Sequence, residues 1–173
     1  AYSKRMVDVQ IRSLRLAEGK QYCTIIPGNI FGENDNFDLE NGHVVPSLIH
    51  RCYLARKTDA PFEIWGDGSA RREFLYASDV AKICLDILRL EKLPDRLIIA
   101  GERAVQIREI VKIICKIMNY DNVRWLVDKP NGQLFRNSNL DRFKGSFPDF
   151  EFTDVEKALR MTIDWFCAEY PRI

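Results

Sequence analysis

Short apolar runs that stop at glycine or proline turns alternate along this chain with longer segments whose apolar residues recur at helical spacing. This alternation is the feature that most restricts the fold. Residues 22–26 form an apolar run that ends at Pro27-Gly28-Asn29, which reads as a buried strand entering a turn. Phe62 to Trp65 reads as a strand closed by Gly66-Asp67-Gly68, residues 97–100 as a strand closed by Gly101, and residues 123–127 as another. Residues 71–76 form a further extended piece, and the polar stretch 33–42 reads as a loop. Between them, helices are predicted over 3–19, over 43–57 with Pro46 in the first turn, and from a Ser78 cap to about residue 90. Ile107, Ile110, Val111, Ile114 and Met118 mark a fourth helix. A capping box, Thr153-Asp154-Val155-Glu156, opens a last helix that buries Val155, Leu159, Ile163 and Phe166. Strands alternating with helices predict an α/β fold with largely parallel pairing.

At 173 residues the chain fits one domain or part of two. Apolar residues make up 46%, enough for a core. A net charge of +1 gives no field that would draw it to nucleic acid or an anionic membrane. Apolar runs fall short of the ~20 residues of a membrane helix. The five cysteines, at 23, 52, 84, 115 and 167, are odd in number and lack zinc-site spacing. They read as reduced, buried residues of a cytosolic protein, and with His43 and His50 as the two histidines no metal is expected. The first helix starts without a capping residue ahead of it, which predicts further chain before Ala1. Glycine-rich dinucleotide or phosphate-binding loops are not found in the sequence. Gly66-Asp67-Gly68 leads into Arg71-Arg72-Glu73-Phe74 rather than a helix and reads as a tight turn.

Several segments then line up, in order, with one family. Ala1-Tyr2-Ser3-Lys4 resembles the end of the Tyr-x-x-x-Lys motif of extended short-chain dehydrogenases/reductases, with Lys4 at the lysine position and the tyrosine expected one residue before Ala1. Pro27-Gly28-Asn29-Ile30-Phe31-Gly32 resembles the turn beneath the nicotinamide. Asp35-Asn36-Phe37 followed by Gly42-His43-Val44-Val45-Pro46 narrows the likeness to the GDP-L-fucose synthases. Trp65-Gly66-Asp67-Gly68, Arg72-Glu73-Phe74-Leu75 and Lys129-Pro130-Asn131-Gly132 follow in the same order.

The resemblance implies the C-terminal part of a Rossmann-like, NAD(P)-binding fold plus a smaller α/β substrate-binding domain. Residues 1–32 and 79–105 would complete the nucleotide-binding sheet, and residues 33–78 and 106–173 would form the substrate domain. It implies an NADP(H)-dependent enzyme that converts GDP-4-keto-6-deoxy-D-mannose to GDP-L-fucose, cytoplasmic and homodimeric, by 3,5-epimerisation and then 4-keto reduction. NAD in place of NADP stays open. The chain alone is expected to be inactive, since the tyrosine, a cysteine base and the glycine-rich loop lie outside it. Another NAD(P)-dependent nucleotide-sugar epimerase or reductase, and a non-catalytic nucleotide-sugar binding domain, stay open as alternatives.

The same resemblance assigns roles. Lys4 is expected to bond the cofactor ribose and to activate the tyrosine; without the other matches it reads as a solvated helix lysine. Pro27, Gly28, Asn29 and Ile30 are expected under the nicotinamide, with the Asn29 amide reaching the sugar. His43 is the expected acid, also placed beside the cofactor, because a side chain that titrates near neutrality can move protons made acidic by a neighbouring ketone. Arg51, eight residues after His43 and on the same helical face, and Arg72 are expected to hold the diphosphate; each could instead form a surface ion pair. Trp65 is expected against the nucleotide or sugar, with a core tryptophan as the rival reading. Asn131 stands where the family usually has an aspartate contacting substrate, and Arg136 could supply a cation nearby. Arg71 and His50 read as surface residues.

Overall fold

The structure is a computed structural model and describes residues 2–135 and 137–170. Its elements run α1 (Tyr2–Glu18), β1 (Thr24–Pro27), β2 (Asn29–Phe31), α2 (Val44–Thr58), β3 (Phe62–Trp65), β4 (Arg71–Arg72), β5 (Phe74–Tyr76) and α3 (Ala77–Ile87). They continue with β6 (Arg96–Ile99), β7 (Val105–Gln106), α4 (Ile107–Met118), β8 (Val123–Leu126), α5 (Asp141–Ser146) and α6 (Val155–Glu169). Strands and helices alternate as predicted, and the fold is α/β. Three strand pairs are parallel: β1 with β6, β2 with β5, and β3 with β8. The short β4–β7 pair is antiparallel.

One residue, Gly28, separates β1 from β2, so a single extended run changes partners at that point. Pro27 is in register with Ile99 and Asn29 with Phe74. The switch is stitched by the Gly28 N–H donating to the Ile99 carbonyl (2.7 Å) and the Asn29 N–H donating to the Glu73 carbonyl (3.2 Å).

Apolar side chains gather in two clusters. One holds Leu75, Ile83, Ile87, Leu97, Ile99 and Phe143, between the β1–β6 pair and α3 and α5. The other is larger and joins Phe31, Phe37, Ile49, Phe62, Ile64, Ile110, Ile114, Leu159 and Phe166 among α2, α4 and α6. Helix α4 shows why its segment folds this way: the residues at helical spacing, Ile110, Val111, Ile114 and Met118, are its buried set. Asn119 then closes it in the left-handed conformation (φ 51°), which asparagine tolerates well.

Helix α1 differs, for none of its residues is buried. Polar bonds hold it: Asp8 accepts from Arg96 on β6, Arg15 pairs with Asp95 at 2.7 Å, and Arg15 also donates to the Tyr22 carbonyl. The Arg96 guanidinium, with a smaller push from Arg12, holds the Asp8 carboxyl below the usual carboxylate range.

Several local expectations need correction. Ser78 does not cap α3; the cap position is Tyr76, which contributes no side-chain cap bond, and the helix stops at Ile87. The Tyr76 hydroxyl donates to both oxygens of Glu33 at 2.6 and 2.8 Å, and burial together with that carboxylate pushes the phenol up to about 12. The last helix is capped by Asp154, whose Oδ1 accepts from the N–H groups of Glu156 and Lys157. Thr153 faces elsewhere, because buried Asp79 needs its donors: the Thr153 N–H (2.9 Å) and hydroxyl (2.8 Å) both donate to Asp79. Residues 29–31 form a strand rather than part of a turn, and β7 and α5 were too short for periodicity to reveal. All five cysteines are free thiols, but Cys52 alone is fully buried, and Cys167 is exposed because α6 turns it outward.

Asp79→Ala is expected to lower unfolding stability by about 1–3 kcal/mol, since two donors of Thr153 lose a buried partner. Chemical denaturation at neutral pH measures it.

Candidate functional site in the cleft above the parallel strands

The partner switch at Gly28 brings three backbone segments close together. A Cβ at Gly28 would stand 3.1 Å from the Ala100 Cβ and 3.4 Å from the Glu73 carbonyl oxygen. One at Gly101 would collide with the Phe74 carbonyl oxygen at 2.2 Å. Glycine at both places lets the strand ends draw together. The Glu73 carbonyl accepts from the Asn29 N–H and also from its side-chain amide (3.1 Å), which leaves the second amide N–H of Asn29 over. Ile30 and Ile26, on either side, stay part exposed and present an apolar wall at the strand ends, where ligands bind in open α/β sheets.

The second wall is built by the loop before α2. Its acidic and amide side chains bond its own backbone. Asn36 Oδ1 accepts from the Asp38 N–H, and Asp38 Oδ1 accepts from the N–H groups of Asn41 (2.6 Å) and Glu40 (3.0 Å). Those two N–H groups hold the Asp38 carboxyl below the usual carboxylate range. Gly42 closes the loop with its N–H on the Asp38 carbonyl, so tightly that a Cβ there would lie 2.2 Å from the same oxygen. The Phe37 ring stacks on Phe166 (4.7 Å between centroids), which seats the loop on the larger core.

His43 follows at the N-cap of α2, in extended conformation and without a side-chain cap bond. Its imidazole is 73% exposed, while Nδ1 lies 3.0 Å from Oδ1 of Asp35, a side chain only 14% exposed.

Between the walls lies a cleft of about 1260 Å³. It brings together Lys4 from α1, Pro27 to Ile30 from the strand switch, Gly42 and His43 from the loop, and Arg72 from β4. Arg72 is half-buried, and its Nη1 donates to the Arg71 carbonyl (2.7 Å). Arg71 is exposed, as expected.

Three expected site residues do not line this cleft. Arg51 donates from Nη2 to the Leu39 carbonyl (2.9 Å) and so anchors the loop from α2. Trp65 ends β3 and is 56% exposed, which removes the core-tryptophan reading. Asn131 reaches the turn after β3, where its Oδ1 accepts from the Asp67 N–H (2.8 Å). The neighbouring Gly132 backs onto Arg72: a Cβ there would stand 3.8 Å from Nη2. Arg136, the tyrosine position before Ala1 and Ala1 itself lie outside the described residues. His50 is not the surface residue its sequence context suggests. Its Nδ1 donates to the Phe37 carbonyl (2.8 Å), and its ring packs on Phe166 and Tyr170 in the aromatic cluster under the loop.

The cleft suits a nicotinamide nucleotide in its chemistry. Exposed Ile26, Ile30 and Val44 offer apolar area for a flat ring, and Lys4 offers a cation at the rim. Among the described residues no group of histidines, cysteines and carboxylates could hold a metal ion. No helix among them is long and apolar enough to cross a membrane.

Residues 1–100 match the NAD dependent epimerase/dehydratase family, and the chain belongs to it. Within that family it is GDP-L-fucose synthase-like. It is 32% identical over 173 residues to the GDP-L-fucose synthase of Dictyostelium discoideum, covering 98% of this chain and 54% of that protein. A probable GDP-L-fucose synthase of Drosophila melanogaster is 32% identical over 181 residues, covering 98% and 56%. The crystal structure of a GDP-L-fucose synthetase from Naegleria fowleri bound to NADP superposes with a TM-score of 0.90 at 31% identity, over 98% of this chain and 53% of that one. The chain thus spans about half the length of the curated relatives it matches.

Gly42→Ala is expected to cost about 1–3 kcal/mol, because the loop must open to relieve the contact with Asp38. A lowered denaturation midpoint with an unchanged denaturant slope measures it.

Proposed function

We propose that the whole protein is an NADP(H)-dependent epimerase-reductase that converts GDP-4-keto-6-deoxy-D-mannose to GDP-L-fucose. The observation that carries this reading is the meeting of His43, Lys4, Asn29 and Arg72 around one cleft at the strand ends. The names of the relatives support the substrate class.

In this reading the 4-ketone of the sugar lies near His43. A carbonyl acidifies the hydrogens on both neighbouring carbons; the cysteine that the resemblance places outside this chain removes each proton from one face, and the charged imidazole of His43 returns one from the opposite face at C3 and C5. The exposure of the ring at the edge of the cleft, rather than packed, supports that task. Arg72 offers a planar cation for the diphosphate, already held at one nitrogen by the Arg71 carbonyl. Arg51 serves the site indirectly, by fastening the loop at the Leu39 carbonyl. Exposed Trp65 supplies a flat wall for the nucleotide, and Asn131 positions the turn that carries it. Lys4 bonds the cofactor ribose, and the Pro27–Ile30 edge lies against the nicotinamide. NADPH, when bound, supplies the hydride that reduces C4. Residues 1–32 and 79–105 serve the nucleotide half and the remainder the sugar half, although Leu75 and Phe143 pack with Ile83, Leu97 and Ile99 across that division.

Solvent deuterium incorporation at C3 and C5 of the substrate tests the reading in the whole protein. His43→Asn is expected to reduce incorporation by about 10²–10⁴-fold and to leave NADP affinity unchanged. Equal loss of both speaks against the acid role. Unlabelled C3 and C5 in the wild-type product identify a simple 4-reductase instead. Arg72→Ala is expected to raise KM by roughly tenfold or more through loss of charged hydrogen bonds.

A further inference from the structure

We infer that Asp35 is the positioning residue of His43, fixing which ring nitrogen faces the cleft. This inference rests on the reading of His43 as the proton-transfer group.

The geometry comes from the loop. Asp35 Oδ1 accepts from the Asn36 N–H at 2.7 Å and stands 3.0 Å from His43 Nδ1. The carboxylate is thus anchored by its neighbour's backbone before it meets the ring. An ionised carboxylate can only accept, so the proton of the neutral imidazole sits on Nδ1. The lone pair then lies on Nε2, the nitrogen directed away from Asp35, and the proton that the ring takes up there is the one it delivers as acid. A ring held in this way by a carboxylate presents one defined nitrogen for proton exchange.

The burial contrast fits the assignment. The Asp35 side chain is 14% exposed and that of His43 is 73% exposed, so the carboxylate lies behind the ring. The cap position adds to it: His43 has no side-chain bond to its own helix, and Nδ1 is free to serve Asp35. The loop between them is kept in one shape by the Asp38 bonds to Glu40 and Asn41 and by Gly42, where any side chain would strike Asp38. Lys4 and Arg72 line the cleft from its other walls and are donors only, and the Asp8 carboxylate there is taken up by Arg96, so Asp35 is the acceptor placed to order the ring. Sequence spacing alone does not reveal this pair, since the seven residues between them form an irregular loop.

The test uses whole protein labelled with ¹⁵N. Long-range ¹H–¹⁵N spectra, with His43 assigned by its disappearance in His43→Asn, are expected to show the Nδ1–H tautomer for the neutral ring. Asp35→Ala removes the acceptor and is expected to abolish that preference. It is also expected to lower kcat for C3/C5 exchange by about tenfold or more while KM stays within about twofold. Asp35→Asn keeps an oxygen acceptor in the same place and is expected to retain the tautomer, which separates positioning from a general loss of structure. Asp35→Ala with the wild-type tautomer, or with wild-type kcat, overturns the inference. Should His43→Asn retain full exchange, the functional reading falls, and the tautomer comparison still decides whether Asp35 sets the ring.

Discussion

The structure depends on a change of strand partner at Gly28. A parallel strand that left its neighbour without finding another would strand buried backbone groups, at a cost comparable to lost hydrogen bonds. Here the Gly28 N–H still reaches Ile99 while the next N–H reaches Glu73, so the ladder passes from one strand to the other without a gap. The exchange demands close backbone approach, which Gly28 and Gly101 permit. It also opens the cleft, because strands that part in this way leave a crevice at their ends. Asn29 lies at the fork, and its side-chain amide closes the seam rather than pointing into solution.

The opposite wall obeys a different rule. An irregular segment beside a cleft holds one shape only if its polar backbone is satisfied. The loop before α2 achieves this with its own aspartates and asparagines and with two residues of the helix that follows. Arg51 and His50 are successive, yet each binds a different carbonyl, of Leu39 and Phe37. One helix therefore carries the imidazole at its N-cap and the fastenings of the loop two turns later.

Much of this was legible in the sequence. Helix α4 was visible through the spacing of Ile110, Val111, Ile114 and Met118, and β3 through a short apolar run ended by glycine. Residues whose partners are distant in sequence were not. Thr153 resembled one half of a capping box until Asp79, far away in the chain, proved to be its partner. Ser78 had the right chemistry for a cap, but the strand β5 runs directly into α3 and leaves Tyr76 at that position. His50 belongs to an aromatic cluster that only the packing of α6 against α2 creates. The site shows the same division. The cleft takes in Lys4, Pro27 to Ile30, His43 and Arg72, whereas the orienting contact of Asp35 required the loop's folded path.

The path of the C-terminal third also has a bearing on how the chain is made. Phe143 is buried in the cluster of the first strand pair, with Phe147, Phe150 and Phe152 packed around it, although α4 and β8, which precede them, belong to the other cluster. The chain therefore leaves the first layer, builds most of the second and comes back to finish the first. During synthesis the β1–β6 pair must wait, with part of its apolar face uncovered, until these phenylalanines have emerged from the ribosome. Contacts so far apart in sequence slow folding and leave a partly formed sheet open to wrong partners. Translation that stalls before residue 143 leaves a nascent chain in which α3 alone covers that cluster, through Ile83 and Ile87.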